Sequence, residues 1–134
     1  MSSTLSALSH ITLGTNDVAK SAQFYDAALK PLGFTRVPKP EGKPPMYAKN
    51  GEMPHIYIYQ PYDGLPATFG NGTHVAFQAE SRSAVDTFYK AAMDNAGTNE
   101  GAPGIRENYG ANYYAAYVRD PDGNKLQAVC YADA

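Results

Sequence analysis

Six stretches of the chain alternate apolar and polar residues with the two-residue period of a strand, and two carry helical spacing. In the first strand, His10 to Leu13, Ile11 and Leu13 share one face and His10 and Thr12 the other. Asn16 and Asp17 are cap residues, and the spacing of Val18, Ala22, Tyr25 and Leu29 predicts a helix to about Leu29, ended by Pro31 and Gly33. The Pro- and Lys-rich stretch 35–45 reads as an exposed, solvated loop. Met46–Lys49 is a short strand, and Asn50-Gly51 turns it into HIYIYQ (55–60), where His55, Tyr57 and Tyr59 share one face and Ile56 and Ile58 the other. After a loop over 61–72, a strand puts Val75 and Phe77 on one face and His74 and Ala76 on the other. Ser81 or Ser83 then caps a helix burying Val85, Phe88, Tyr89, Ala92 and Met93. The Gly-rich stretch 97–112 reads as a long loop, functional or mobile. Tyr113–Val118 is a strand, Asp120–Asn124 a strong turn, and Lys125–Tyr131 a closing strand with Gln127, Val129 and Tyr131 on one face and Cys130, buried and inert, on the other.

The chain repeats itself. Residues 10–33 align without a gap on residues 74–97, with six identities in 24 positions: His10/His74, Phe24/Phe88, Tyr25/Tyr89, Ala27/Ala91, Ala28/Ala92 and Gly33/Gly97. Ordinary residue usage would give roughly one or two. Internal repetition fixes the architecture: two βαβββ modules, about 5–62 and 71–134, in an α+β domain whose strands form an eight-stranded, cup-shaped mixed sheet with helices outside. The apolar strand faces pack on the helices. The other faces, with His10, Thr12, Tyr57, Tyr59, His74, Gln78 and Gln127, line the cup, joined by His55 if it keeps its alternation.

Composition narrows the function. At 134 residues and 43% hydrophobic, the chain can build one core. With 18% charged residues and a net charge of −2, it carries no signature of nucleic-acid or anionic-membrane binding. The single cysteine excludes an intrachain disulfide framework, no apolar run reaches spanning length, and the N-terminus lacks a basic-then-apolar leader, so a cytoplasmic protein is expected. Eleven tyrosines and no tryptophan suggest an amphipathic concavity.

The openings HITLGTNDVAKSAQFYDAAL and GTHVAFQAESRSAVDTFY and the close RDPDGNKLQAVCY resemble the vicinal oxygen chelate superfamily, which includes glyoxalase I, bleomycin-resistance proteins and extradiol dioxygenases. In metal-dependent members, the first strand of each module supplies a histidine and the last strand a second ligand, often Glu. The resemblance places His10 and His74 at the first-strand positions, Gln127 where Glu is usual, and Tyr57 at the first module's last-strand position. The chain departs from the pattern at both carboxylates. An amide leaves a buried dication poorly neutralised, and it cannot act as a base at neutral pH.

Two functions follow from the resemblance. One is a glyoxalase-like enzyme with a divalent ion (Zn, Ni, Mn or Fe) on His10, His74 and Gln127, polarising a ligand with vicinal oxygens. The other is a metal-free binding protein of the bleomycin-resistance kind, holding a small compound, aromatic or not. Tyr57, Tyr59, His55, Arg106 and Tyr109 are the ligand-side candidates, Arg106 as an anion clamp. A homodimer is expected, with each cup built within one chain or from modules of two.

Overall fold

The computed structural model describes residues 5–133; the first four residues of the N-terminal segment and Ala134, at the end of the second module, lie outside it. The element order is β1 (His10–Gly14), α1 (Val18–Ala28), a 3-10 turn (Lys30–Leu32), β2 (Thr35–Arg36), β3 (Met46–Lys49), β4 (Glu52–Tyr59), β5 (His74–Gln78), α2 (Arg82–Asp94), β6 (Thr98–Ile105), β7 (Tyr114–Arg119) and β8 (Lys125–Cys130). Two βαβββ modules are present. Their eight strands are divided between two four-stranded mixed sheets, ordered β1-β4-β3-β2 and β5-β8-β7-β6. Within each, the first strand runs parallel to the last. Among the described residues, no helix is long and apolar enough to cross a membrane.

The repeat is visible at atomic scale. Asp17 and Ser81, 64 residues apart in sequence, both cap their helices, accepting from the backbone N–H of Lys20 and Ala84. Phe24 and Phe88, and Ala28 and Ala92, are fully buried equivalents. Each phenylalanine contributes about 2–3 kcal/mol through removal of apolar area from water. Leu13 and Phe77 close the same core from the two first strands, so the modules share one continuous apolar interior. The helix exits differ. Gly33 sits at φ 90° and ends the first module's 3-10 turn, whereas Ala96 takes the left-handed conformation in the second. Gly97 is kept there for space: a Cβ would lie 2.6 Å from the Ala92 carbonyl oxygen and 2.9 Å from Phe24.

The stretch 97–112, expected as a loop, is a correction. Thr98–Ile105 forms β6, the outer strand of the second sheet, paired antiparallel with β7, and only 106–113 turns back. The segment lacks apolar alternation because it is an edge strand, and its pairing is irregular between Asn99 and Gly104. Pro103 is tolerated because only one side of β6 is bonded. A Cβ at Gly101 would meet the Tyr117 ring at 3.1 Å, so the missing side chain lets that ring lie against the edge.

The turn before β8 clasps the two modules together. Asp120, 3% exposed, accepts from the Tyr25 hydroxyl of α1 at 2.5 Å, from Asn124 Nδ2 at 2.8 Å, and from the backbone N–H groups of Asp122 and Asn124. Asp122 accepts from Ser21 Oγ and the Asn16 backbone N–H, both at 2.8 Å, and Asn124 Nδ2 also donates to the Gly14 carbonyl. Burial pushes the Asp120 carboxyl above its ordinary value, opposed by these donors; burial, then the neighbouring carboxylate, pushes Tyr25 well up.

Candidate functional site

The register gives the two polar strand faces an internal correspondence. His10 pairs with His55 and Thr12 with Tyr57 across β1 and β4; His74 pairs with Lys125 and Ala76 with Gln127 across β5 and β8. Tyr57 and Gln127 are therefore equivalent positions, two residues beyond the partners of the two histidines. His55 corresponds to Lys125.

In the first module the face centres on Tyr57. The His10 ring meets it at 5.0 Å and 85°, His55 at 6.4 Å and 79°, and Tyr59 lies 5.3 Å away. All three histidine and tyrosine residues of β4 are half-buried, while His10 is exposed. Ser9 Oγ lies 2.9 Å from His10 Nδ1, which holds the ring and leaves Nε2 free. The loop expected to be plain solvated surface contributes Lys39, whose ammonium sits 5.5 Å from the Tyr57 ring centre and 5.7 Å from that of Tyr59. Sequence reasoning missed it because a lysine between two prolines looks like any exposed loop lysine.

In the second module the face centres on Tyr117, with His74 at 6.4 Å, the Arg106 guanidinium at 5.5 Å and Lys125 at 5.6 Å. Burial, ahead of the neighbouring tyrosines, raises the Tyr117 hydroxyl above its ordinary range. Gln127 is 2% exposed and donates through Nε2 to the Tyr113 hydroxyl at 2.6 Å. Arg106 spends Nη1 and Nη2 on the carbonyls of Gly104 and Ala102, so it staples the return of β6. Tyr109, 64% exposed, packs against Tyr113 at 5.1 Å.

The candidates thus fall into two groups, His10, His55, Tyr57 and Tyr59 on one sheet and His74, Gln127, Arg106 and Tyr109 on or beside the other. Among the described residues, no hydrogen bond, ion pair or ring contact joins one polar face to the other; the modules meet through their helices, core and turns. Among the same residues, no group of three or more His, Cys, Asp or Glu has metal-binding geometry.

The donor set fits a divalent cation poorly. Its members are two imidazoles, a phenol and the enclosed amide of Gln127, with no carboxylate among them. No carboxylate is in ion-pair contact with Lys39, Lys125 or Arg106 among the described residues, so the two faces carry uncompensated positive charge. A dication placed there meets repulsion where metal sites supply neutralisation. What the faces offer is ring surface, imidazole and phenol hydrogen bonds, and ammonium groups.

A sequence model of the Glyoxalase/Bleomycin resistance protein/Dioxygenase superfamily matches residues 7–128, and the chain belongs to that superfamily. It is similar to a glyoxalase/bleomycin resistance protein from Albidiferax ferrireducens T118, at 39% identity over 93% of this chain and 98% of that one, with a TM-score of 0.78. The fold also matches a glyoxalase-related enzyme from Fulvimarina pelagi, at 20% identity, 94% and 88% coverage and a TM-score of 0.70. A lactoylglutathione lyase from Agrobacterium tumefaciens shares the fold at 20% identity, with 94% of each chain covered and a TM-score of 0.63. A comparison with curated proteins gave no match.

Proposed function

We propose that this chain binds a small molecule on its twin tyrosine-centred faces without a resident metal, and that a homodimer completes the cup by setting the first-module face of one copy against the second-module face of another. One observation carries the reading: the two positions where the superfamily resemblance expects carboxylates are Tyr57 and Gln127, and the charges beside them are unpaired cations. Two features support the dimer. β1 and β5 each have a hydrogen-bonded neighbour on one side only. Large apolar side chains stand exposed near the start of β1 and β4, with Leu8 at 53% and Met53 at 52%.

The test is thermal denaturation of metal-stripped full-length protein against a panel of small aromatic compounds, with sedimentation equilibrium alongside. Ligand at about a hundredfold over Kd adds about 2.7 kcal/mol, and the sedimenting mass is twice the 14.4 kDa of one chain. Stabilisation that appears only when zinc, nickel, manganese or iron is restored would transfer the chain to the metalloenzyme reading. A monomer at every concentration would remove the shared cup.

A further inference from the structure

Resting on that reading, we infer that the ligand is a ring-bearing anion, and that Lys39 is its charge partner on the first-module face. Lys39 lies in a loop of mostly exposed residues, yet is itself half-buried. Pro38 and Pro40 flank it and fix the backbone on either side. The loop is tied back by the Val37 backbone N–H, which donates to the Met46 carbonyl at 2.8 Å. The ammonium is thereby carried over two tyrosine rings, and among the described residues it has no ion pair and no hydrogen-bond acceptor.

A lysine held against aromatic faces, with no acceptor and no ion-paired carboxylate among the described residues, is a cation waiting for an anion. The ring geometry supplies the other half of the ligand. His10 and His55 meet Tyr57 edge-on, at 85° and 79°, and Tyr59 lies 5.3 Å from Tyr57, so the ammonium stands beside a surface built of rings, which an aromatic ligand complements. The second face repeats the chemistry independently: Lys125, also without an ion pair among the described residues, lies over Tyr117. Both halves of the cup thus pair a tyrosine ring with a free ammonium. A neutral or cationic ligand would leave both ammonium groups uncompensated.

Benzoate and its uncharged isostere benzamide are the probes, titrated into the ¹⁵N-labelled full chain in metal-free buffer and followed by amide shifts. Benzoate is expected to move resonances of Lys39, Tyr57 and Tyr59 and to bind about fivefold tighter than benzamide, the ratio a partly exposed charge pair gives. Lys39→Met keeps the side chain's length and removes its charge; it is expected to lower the ratio to about twofold, and the Lys39→Met/Lys125→Met pair to bring it to about one, while Lys43→Met in the same exposed loop leaves it unchanged. Equal binding of the two probes by wild-type protein overturns the anion assignment and leaves the binding reading standing. A preference undiminished by Lys39→Met overturns the role of Lys39. If neither probe moves the face's resonances, both the anion assignment and the binding reading of this face fall.

Discussion

Tyr25→Phe tests the clasp between the modules. The hydroxyl donates to Asp120 at 2.5 Å in a site where Tyr25 is fully buried and Asp120 is 3% exposed, so no water replaces it in the folded chain. The carboxylate keeps its three donors from Asn124 and Asp122, and the loss is that of one hydrogen bond to a charged group, about 1.5–3 kcal/mol. For a chain of this length the unfolding entropy is about 0.28 kcal/mol/K, so the melting temperature is expected to fall by about 5–11 °C near neutral pH. The pH dependence follows from the direction of the Asp120 shift. Burial raises its folded pKa, so its stabilising proton uptake is complete below the unfolded value and is lost as pH rises through the folded value. Removing Tyr25's hydroxyl withdraws a donor that favours the charged form and raises the folded value further. The deficit of the variant is therefore full near neutral pH and shrinks in acid, where a neutral carboxyl loses only about 0.5–1.5 kcal/mol. Differential scanning calorimetry of both proteins across that range is the assay. A change under about 1 °C at ~pH 7, or a deficit that grows on acidification, would refute the argument.

Three further substitutions probe other joints of the account. Gly97→Ala forces a Cβ against the Ala92 carbonyl and the Phe24 ring; equilibrium unfolding in urea is expected to show a loss of about 1–3 kcal/mol, with the slope unchanged. Ser81→Ala removes the α2 cap and is expected to cost about 1 kcal/mol by the same measurement. Gln127→Glu puts a carboxylate at a position 2% exposed. Its melting temperature is expected to drop near neutral pH and recover in acid, because a buried carboxyl's raised pKa makes stability fall as pH rises. A more stable variant at ~pH 7 would mean that position 127 sees a cation.

Much of this was legible in the chain. The helices, their caps at Asp17 and Ser81, and the polar and apolar strand faces follow from periodicity, and the duplication makes each module a check on the other. The equivalence of Tyr57 and Gln127, expected from motif position, is what the strand register gives. Other features were not legible, for physical reasons. β6 hides because an edge strand bonded on one side accepts Gly and Pro, which erase the alternation that marks a strand. Lys39 hides because its environment is set by how a loop folds over β4, which no local spacing encodes. Asp120 to Asn124 reads as a turn, but the grip of those side chains on Tyr25, Ser21 and Gly14 depends on how two modules distant in sequence pack.

The central claim is that the twin faces form a ligand site built on rings and ammonium groups and hold no resident metal. Equilibrium dialysis of the purified full chain against zinc, followed by elemental analysis, tests it most directly. The account predicts zinc well below one ion per chain, at a level that His10→Ala and His74→Ala together leave unchanged. One tightly held ion per site, lost in that double variant, would contradict it.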